Sequence, residues 1–379
     1  MRRWFVLLIF LPVLVFSESL YSPTWGFSID LPEGYDFVEG NGKDRFSFSG
    51  PGGVHFDMLV YNGTFATVEK LVDDINLKLG NQGSIDFFHY RNKRAAIVEL
   101  KFADFVGWGL CIELEGSAAA GASPPMLTAL SYSRRGIGLD LFHLSALDSI
   151  VPSDEERYYP GPIMEYSYPR GNAKQVPLVS SGIYALIREN DAEAAQVLIE
   201  REFMILEQYL LSEYWRQAWI RYYRLVYRDS YDRITDAAVK LVQNWSSNSR
   251  NAAGINSIET KKELAQKALS WVQGFNYERH LDGSDFVNLV SAVTEGRGDC
   301  DSRAMLWAIL LAHADIRAAM MVSRNYSHAM GLADIEGAGA RFEVDETHWL
   351  VAETTDKIDI GLIDAGMSDW ESWLGILFD

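Results

Sequence analysis

Residues 296–312 read GRGDCDSRAMLWAILLA, and this stretch decides the fold of the second half of the chain. The run 304–312 is apolar on every face, which predicts a helix buried at the centre of a domain. Cys300 falls on the first turn of that helix, and Gly296 and Gly298 allow the entering loop to turn sharply. The sequence therefore places a thiol at the start of a buried helix.

Two polar residues downstream of this helix complete a candidate catalytic set. His328 follows the strand-like run 318–323 and begins a second such run, and Glu353 lies at the end of a third. A nucleophilic thiol needs a base that takes its proton and an acid that orients that base. The sequence therefore predicts Cys300 as the nucleophile, His328 as general base and then general acid, and Glu353 as the orienting group.

The surroundings of Cys300 both favour and oppose its thiolate. A helix N-terminus carries unpaired amide donors and partial positive charge, which favour the thiolate and suit an oxyanion. The charges of Asp299 and Asp301 oppose it, unless one of them caps the helix with its side chain turned away. The sequence leaves this balance open. With His328 nearby, we expect the thiol to alkylate faster than free cysteine near neutral pH.

Three short pieces of the second half match a known family in residue type, order and context. They are Gly298-Asp299-Cys300-Asp301, Ser327-His328-Ala329 and Trp349-Leu350-Val351-Ala352-Glu353-Thr354-Thr355. On these pieces the second half resembles the transglutaminase-like superfamily. The resemblance implies an α+β fold with a papain-like core, whose Cys-helix packs on an antiparallel sheet. It also implies that the chain is an exported bacterial member of the family, in which Cys300 attacks an amide and forms a thioester. The family usually has Gly where this chain has Asp315, and Asp tolerates the left-handed turn expected there.

Each predicted role has an alternative. His348 is the rival base, and Asp356 and Asp359 are the rival orienting acids. Cys300 could instead form a disulfide with Cys111, as two cysteines in an exported protein often do, although the β-like run around Cys111 favours a small core residue. The alternative function is a catalytically inactive domain that binds peptide or cell-envelope polymer in the same cleft.

The first 150 of the 379 residues divide into two predicted parts. Residues 1–19 read as a secretory signal peptide, with a basic start, a short apolar run and small residues where a peptidase could cut. Residues 20–150 contain strand-like runs and one predicted helix, from Thr67 to Leu79. With the opening FSIDLPEG at 27–34, this part resembles the PsbP/Mog1-like domains of exported proteins, so we expect an α/β sandwich-like accessory domain.

The remaining residues also divide into two predicted parts. Residues 151–178 mix prolines and tyrosines with little periodicity, which indicates a linker or a strap packed over a domain surface. Residues 179–379 are predicted to hold a helical segment and the transglutaminase-like domain. We expect a chain that begins near Val179 to fold without the rest.

The helical segment contains an aromatic-rich stretch from Phe203 to Tyr231. Core packing is the preferred interpretation of these rings, and the wall of a substrate cleft is the other. Four arginines that alternate with the rings are interpreted as a solvated face: Arg216, Arg221, Arg224 and Arg228.

The net charge and the motifs of the chain limit the classes of partner and cofactor that we expect. The formal net charge of −18 argues against nucleic acid or an anionic membrane as a main partner. The chain has no glycine-rich phosphate-binding motif and no set of residues with metal-ligand spacing, so we expect no cofactor and no metal.

No cysteine suited to lipid attachment follows the apolar run, so we expect a periplasmic or secreted protein that is not inserted in a membrane after signal cleavage. The expected partner is a peptide or protein substrate. Water is the expected acyl acceptor, because no long insertion shields a thioester.

Overall fold

The structure is a computed structural model that describes residues 19–116, 123–248, 258–279 and 283–378. The predicted signal peptide therefore lies outside the described residues, apart from its last position, Ser19. Within the described ranges, no helix is both long and apolar enough to cross a membrane. Helices and mainly antiparallel sheets together form a mixed fold that is consistent with the expected α+β class.

The first half forms a seven-stranded antiparallel sheet with a helix on each face. The strands of the first half are β1 (Leu20–Tyr21), β2 (Ser28–Ile29), β3 (Asp36–Gly40), β4 (Arg45–Gly50), β5 (Val54–Tyr61), β6 (Ile85–Tyr90), β7 (Lys93–Phe102), β8 (Phe105–Glu113) and β9 (Met126–Arg134). β1 and β2 pair with each other, and the other seven follow the order β3-β4-β5-β9-β8-β7-β6. The two helices are α1 (Val68–Leu79) and α2 (Asp140–Asp148).

Strand β7 shows why both faces of this sheet are apolar. Ala95 and Ile97 belong to the core that includes α2, whereas Ala96 and Val98 belong to the core that includes α1. Successive side chains of a strand point to opposite faces, so a strand covered on both sides is apolar throughout. The helix predicted from Thr67 to Leu79 is confirmed as α1, with the Thr67 side chain as its N-cap.

The predicted linker, residues 151–178, contains regular structure. It includes α3 (Pro162–Ser167) and β10 (Ala173–Pro177), and β10 pairs with β11 (Tyr184–Arg188). Ile163 packs into the core on the α2 side of the seven-stranded sheet. Of the two interpretations of this stretch, the structure favours the strap packed over a domain surface.

The second half packs helices around one five-stranded antiparallel sheet. The helices are α4 (Asp191–Glu207), α5 (Trp215–Arg233), α6 (Thr235–Asn248), α7 (Ile258–Val272), α8 (Leu289–Glu295) and α9 (Cys300–Ala312). The strands are β12 (Asn276–Tyr277), β13 (Arg297–Gly298), β14 (Ala318–Ser323), β15 (His328–Ala333), β16 (Arg341–Val344), β17 (Thr347–Ala352) and β18 (Leu374–Ile376). The sheet order is β16-β17-β15-β14-β18, and α9 packs on β14 and β15.

Trp307 fixes the helix α9 against this sheet. The indole is fully buried, and its N–H donates to the carbonyl oxygen of Ala265 on α7 at 3.0 Å. A Cβ atom at Gly331 on β15 would lie 2.4 Å from Cε3 of Trp307, so only glycine allows this approach. The predicted buried helix is thus confirmed, with its ring seated directly on the strand that begins at His328.

The arginines of α5 were predicted to form a solvated face, and for Arg221 and Arg228 this is wrong. Both side chains are buried. Arg228 donates to the backbone oxygens of Asp148, Ile150 and Tyr159 at 2.9 to 3.0 Å. A buried guanidinium needs such acceptors, and here the first half of the chain and the strap supply them.

Candidate functional site

Cys300 is the first residue of α9, and Asp299 is the N-cap of the helix. The Asp299 carboxylate accepts a hydrogen bond from the backbone N–H of Ser302 at 2.9 Å, and another from the Ser302 hydroxyl. The Cys300 side chain is buried, and its thiol donates to Oδ1 of Asp301 at 3.6 Å. One of the two flanking aspartates therefore caps the helix, and the other accepts a hydrogen bond from the thiol.

His328 and Glu353 meet because their strands are neighbours in the sheet. His328 begins β15, Glu353 directly follows β17, and these two strands pair antiparallel. Nε2 of His328 lies 2.8 Å from Oε2 of Glu353. With Nε2 in this hydrogen bond, Nδ1 is the ring nitrogen that remains to accept a proton from another group.

The Glu353 carboxylate is held from several directions. Its second oxygen, Oε1, accepts hydrogen bonds from the backbone N–H and the hydroxyl of Thr355 at 2.7 and 2.6 Å. Its backbone oxygen accepts from the side chain of Gln273 at 2.8 Å. Burial alone would raise the pKa of Glu353, but the hydrogen bonds from His328 and Thr355 lower it below the usual value. Glu353 is therefore a fixed, ionised partner for the imidazole.

Cys300 and His328 line the same cleft, which has a volume of about 230 Å³. Among the described residues no hydrogen bond joins the two, because the thiol donates to Asp301. Aromatic rings from the helical segment form part of the wall, including Trp219 and Tyr223. Both interpretations of the aromatic stretch hold in part, since other rings of α5 are core residues.

The rival residues lie elsewhere. The His348 side chain is 67% exposed, and its nearest acidic partner is Glu343, at 3.9 Å. In the described part of the chain, neither Asp356 nor Asp359 forms a hydrogen bond with His328, whose acidic partner is Glu353. Cys111 and Cys300 are both free, and Cys111 is buried in the first-half sheet beside Thr128.

The acidic groups around Cys300 disfavour its thiolate. Burial, followed by the charges of Asp301 and Asp299, raises the pKa of the Cys300 thiol. Burial and the neighbouring carboxylate raise the pKa of Asp299 to about 8, and burial raises that of Asp301. Burial and like charge thus hold the pKa of the thiol above its ordinary value, and the resting thiol is protonated at neutral pH.

Arg303 is a residue of the site whose role was not predicted from the sequence. Its buried guanidinium donates to the backbone oxygens of Gly298 and Phe275 at 3.1 and 2.9 Å. The guanidinium carbon also lies over the ring of Tyr277, 5.4 Å from the ring centroid. An arginine beside an otherwise apolar helix is the sequence signal that could have identified it. Arg303 therefore links the start of β12 to β13, the strand that leads into Cys300.

Tyr223 and Tyr277 also belong to the site. The Tyr223 hydroxyl donates to Oδ2 of Asp301 at 2.8 Å, which links α5 to the first turn of α9. Tyr277 lines the cleft, and burial together with the charge of Cys300 raises its pKa to about 12. No sequence pattern distinguishes Tyr223 from its aromatic neighbours, since the contact depends on how two distant helices pack.

Asp299, Cys300 and Asp301 bring one possible ligand atom each to within 4.8 Å of one another. Three consecutive residues do not form a spaced ligand motif, so the sequence did not indicate this cluster. Two of their oxygens already accept hydrogen bonds, from Ser302 and Tyr223. A metal ion at this place would have to compete with these hydrogen bonds and displace the protons of all three groups.

Comparisons with known proteins give little further information. No family model matches the chain, and no curated protein matches it. A solved structure from Parabacteroides distasonis ATCC 8503, described as a "putative protease", is similar at 10% sequence identity and a TM-score of 0.22. The similarity covers 83% of this chain and 68% of that one. A TM-score this low carries no argument about fold or function.

Proposed function

We propose that the chain is a cysteine-dependent amide hydrolase with a transglutaminase-like, papain-like core. Cys300 is the nucleophile, His328 the general base and acid, and Glu353 the residue that orients the imidazole. The observation that carries this proposal is the 2.8 Å contact between His328 and Glu353 beside a cleft that also contains the Cys300 thiol. A thiol, a base and an ionised orienting acid around one cleft are the parts that nucleophilic catalysis requires.

The proposed reaction begins with a neutral thiol. Cys300 turns from Asp301 towards the cleft, its proton passes to Nδ1 of His328, and the sulfur attacks the carbonyl carbon of an amide. Glu353 stabilises the imidazolium that forms. The backbone N–H groups at the start of α9 are suited to hold the oxyanion. The C–N bond then breaks, the amine leaves with the proton from His328, and a thioester remains on Cys300.

Water completes the proposed cycle. His328 takes a proton from a water molecule, the resulting hydroxide attacks the thioester, and the thiolate of Cys300 leaves and recovers a proton. Hydrolysis is preferred to amine transfer, because an amine acceptor competes with water only where the thioester is well shielded.

The test is to trap the acyl-enzyme. A mixture of unfolded polypeptides is incubated with the protein lacking residues 1–19, and the reaction is quenched with acid for intact-mass and peptide mapping. We expect an acyl adduct on Cys300 and peptide products that carry one oxygen from ¹⁸O-labelled water. Cys300→Ala should abolish both, and Cys111→Ala is the matched control that should retain both. Cleavage that persists in Cys300→Ala would reject the nucleophile assignment.

A second candidate function is a catalytically inactive domain that binds peptide or cell-envelope polymer in the cleft. The observation that favours it is the raised pKa of Cys300, since two acidic neighbours disfavour the reactive thiolate. The same experiment separates the two functions. Binding that is equal in the unsubstituted protein and in Cys300→Ala, with no adduct and no cleavage, would support the inactive domain.

The proposal includes export and removal of residues 1–19. It rests on the basic start and the short apolar run at the N-terminus of the sequence. N-terminal sequencing of the protein recovered from its native host should give a start at or near Leu20. A product that still begins with Met1 would contradict export by signal cleavage.

A further inference from the structure

The turn between α4 and α5 presents large apolar side chains at the surface. Residues 208–214 form this turn, here named the α4–α5 turn. Leu211 is 97% exposed, Leu210 is 41% exposed, and Tyr214 is also exposed. Single exposed leucines are common on proteins, but neighbouring ones beside a candidate active site need an explanation.

The α4–α5 turn is held in place on two sides. Tyr209 is buried, and its hydroxyl donates to the backbone oxygen of Glu33 in the first half of the chain at 2.9 Å. The carbonyl oxygen of Leu210 accepts a hydrogen bond from Arg324 at 3.4 Å. The two leucines are therefore presented by an anchored turn, so a partner that covers them does not have to order the backbone first.

The turn is continuous with the cleft that contains Cys300. Phe203 and Leu206, at the end of α4, and Trp219, near the start of α5, line that cleft. Arg324 lines it as well, and this residue lies in the hairpin between β14 and β15 that leads to His328. The turn thus adjoins the cleft through Arg324, which lines the cleft and donates to the carbonyl oxygen of Leu210.

We infer that the α4–α5 turn docks an apolar segment of an extended polypeptide whose scissile amide lies at Cys300. This inference rests on the proposed function. A cleft of about 230 Å³ is smaller than most sites for drug-sized ligands, so it takes one or two residues of a chain. A ligand that occupies both the cleft and the turn must therefore be a chain.

The test compares a double variant with a matched control. Leu210→Ser combined with Leu211→Ser removes the apolar surface of the turn. Leu77→Ser, on α1 in the first half, changes a leucine that is 82% exposed and away from the cleft. The substrates are a reduced and alkylated, unfolded protein and the shortest peptide from it that is still cleaved, each followed by mass spectrometry.

For the unfolded protein, we expect the double variant to raise KM about tenfold with kcat unchanged, the size expected when about one leucine side chain is no longer buried on binding. For the short peptide, both constants should stay as in the unsubstituted protein. Leu77→Ser should leave KM and kcat unchanged for both substrates. Equal effects on the long and short substrates, or no effect on either, would overturn the inference while leaving the proposed hydrolysis intact.

If the unsubstituted protein cleaves nothing, the proposed function fails and the docking surface is tested by binding. Fluorescence anisotropy of the labelled unfolded protein with Cys300→Ala should then show binding that the two serine substitutions weaken about tenfold. Unchanged affinity would overturn the inference. Binding of the turn to neutral phosphatidylcholine vesicles, with no effect of the serines on polypeptide binding, would also overturn it in favour of a lipid surface.

Discussion

Three acidic groups share the first turn of α9, and each proton lost there makes the next harder to lose. The ligand atoms of Asp299, Cys300 and Asp301 lie within 4.8 Å of one another in a buried setting. The sequence showed the three residues but not their burial or the direction of the side chains. For that reason it could not decide between a thiolate and a thiol.

Alkylation of Cys300 tests its charge state. Because burial and two carboxylates raise its pKa, we expect Cys300 to react with iodoacetamide more slowly than free cysteine at pH 7, and faster as the pH rises. Asp301→Asn removes one negative charge and should shift this rate profile to lower pH. Peptide mapping distinguishes Cys300 from Cys111, whose pKa burial raises to about 12 and which should react only in denaturant. A rate above that of free cysteine at pH 7 would contradict this charge state.

The protonation of Asp299 should appear in the stability of the protein. The pKa of Asp299 is raised from its ordinary value of 3.8 to about 8 in the folded chain. The contribution of Asp299 to the free energy of unfolding is therefore full below pH 3.8, and it is lost as the pH rises through 8. Asp299→Asn keeps an oxygen for the Ser302 cap and removes this loss. The urea midpoint of the variant should therefore rise relative to that of the unsubstituted protein between pH 5 and pH 8.5, and the difference in the free energy of unfolding should grow by on the order of 4 kcal/mol.

Asp364→Asn is the control, because Asp364 caps an exposed turn. It should leave the difference between the two pH values as it is in the unsubstituted protein. Parallel pH dependence for Asp299→Asn and the unsubstituted protein would show that Asp299 is ionised in the fold at both pH values.

At the scale of elements, the patterns that depend on near neighbours in sequence were predictable. The apolar run predicted the helix α9, and the strand-like runs that follow predicted β14 and the start of β15 at His328. Asp315 has a φ of 54°, in the left-handed region expected for it. Contacts between distant elements were not predictable, because the bond from Tyr223 to Asp301 and the buried position of Arg228 depend on how α5 packs.

The packing of α9 on β15 places Cys300, the first residue of the helix, on the same side of the sheet as the cleft that His328 lines. We expect Gly331→Ala to lower the free energy of unfolding by about 1–3 kcal/mol, since the new methyl group must displace the Trp307 ring. Gly366→Ala is the control, because its Cβ would meet only an Asp364 side chain at 3.3 Å. Thermal unfolding measures both. A Gly331→Ala protein as stable as the control would show that Trp307 moves freely.

At the scale of the whole molecule, buried arginines join the two halves. Arg201 contacts Asp148 at 2.6 Å, and Arg221 donates to the backbone oxygen of Asp30 at 2.8 Å. Arg228 reaches three backbone oxygens of the first half and the strap. The same helix, α5, sends Tyr223 to Asp301. The first half therefore supports the wall of the cleft, a role that composition and strand pattern alone did not reveal.

This network argues against the expectation that a chain beginning near Val179 folds by itself. Such a chain loses β10, the partner of β11, together with Asp148 as a partner of Arg201 and the backbone acceptors of Arg228. It also uncovers the part of the second-half core that Phe142 and Met164 pack against, and apolar surface returned to water is destabilising. We expect the truncated chain to show no cooperative urea transition, and Arg228→Met in the full chain to lower the free energy of unfolding by roughly 3 kcal/mol. Arg216→Met, which alters an arginine stacked on Trp215, is the control and should change it little. A truncated protein that unfolds cooperatively and still alkylates at Cys300 as the full chain does would establish two independent domains.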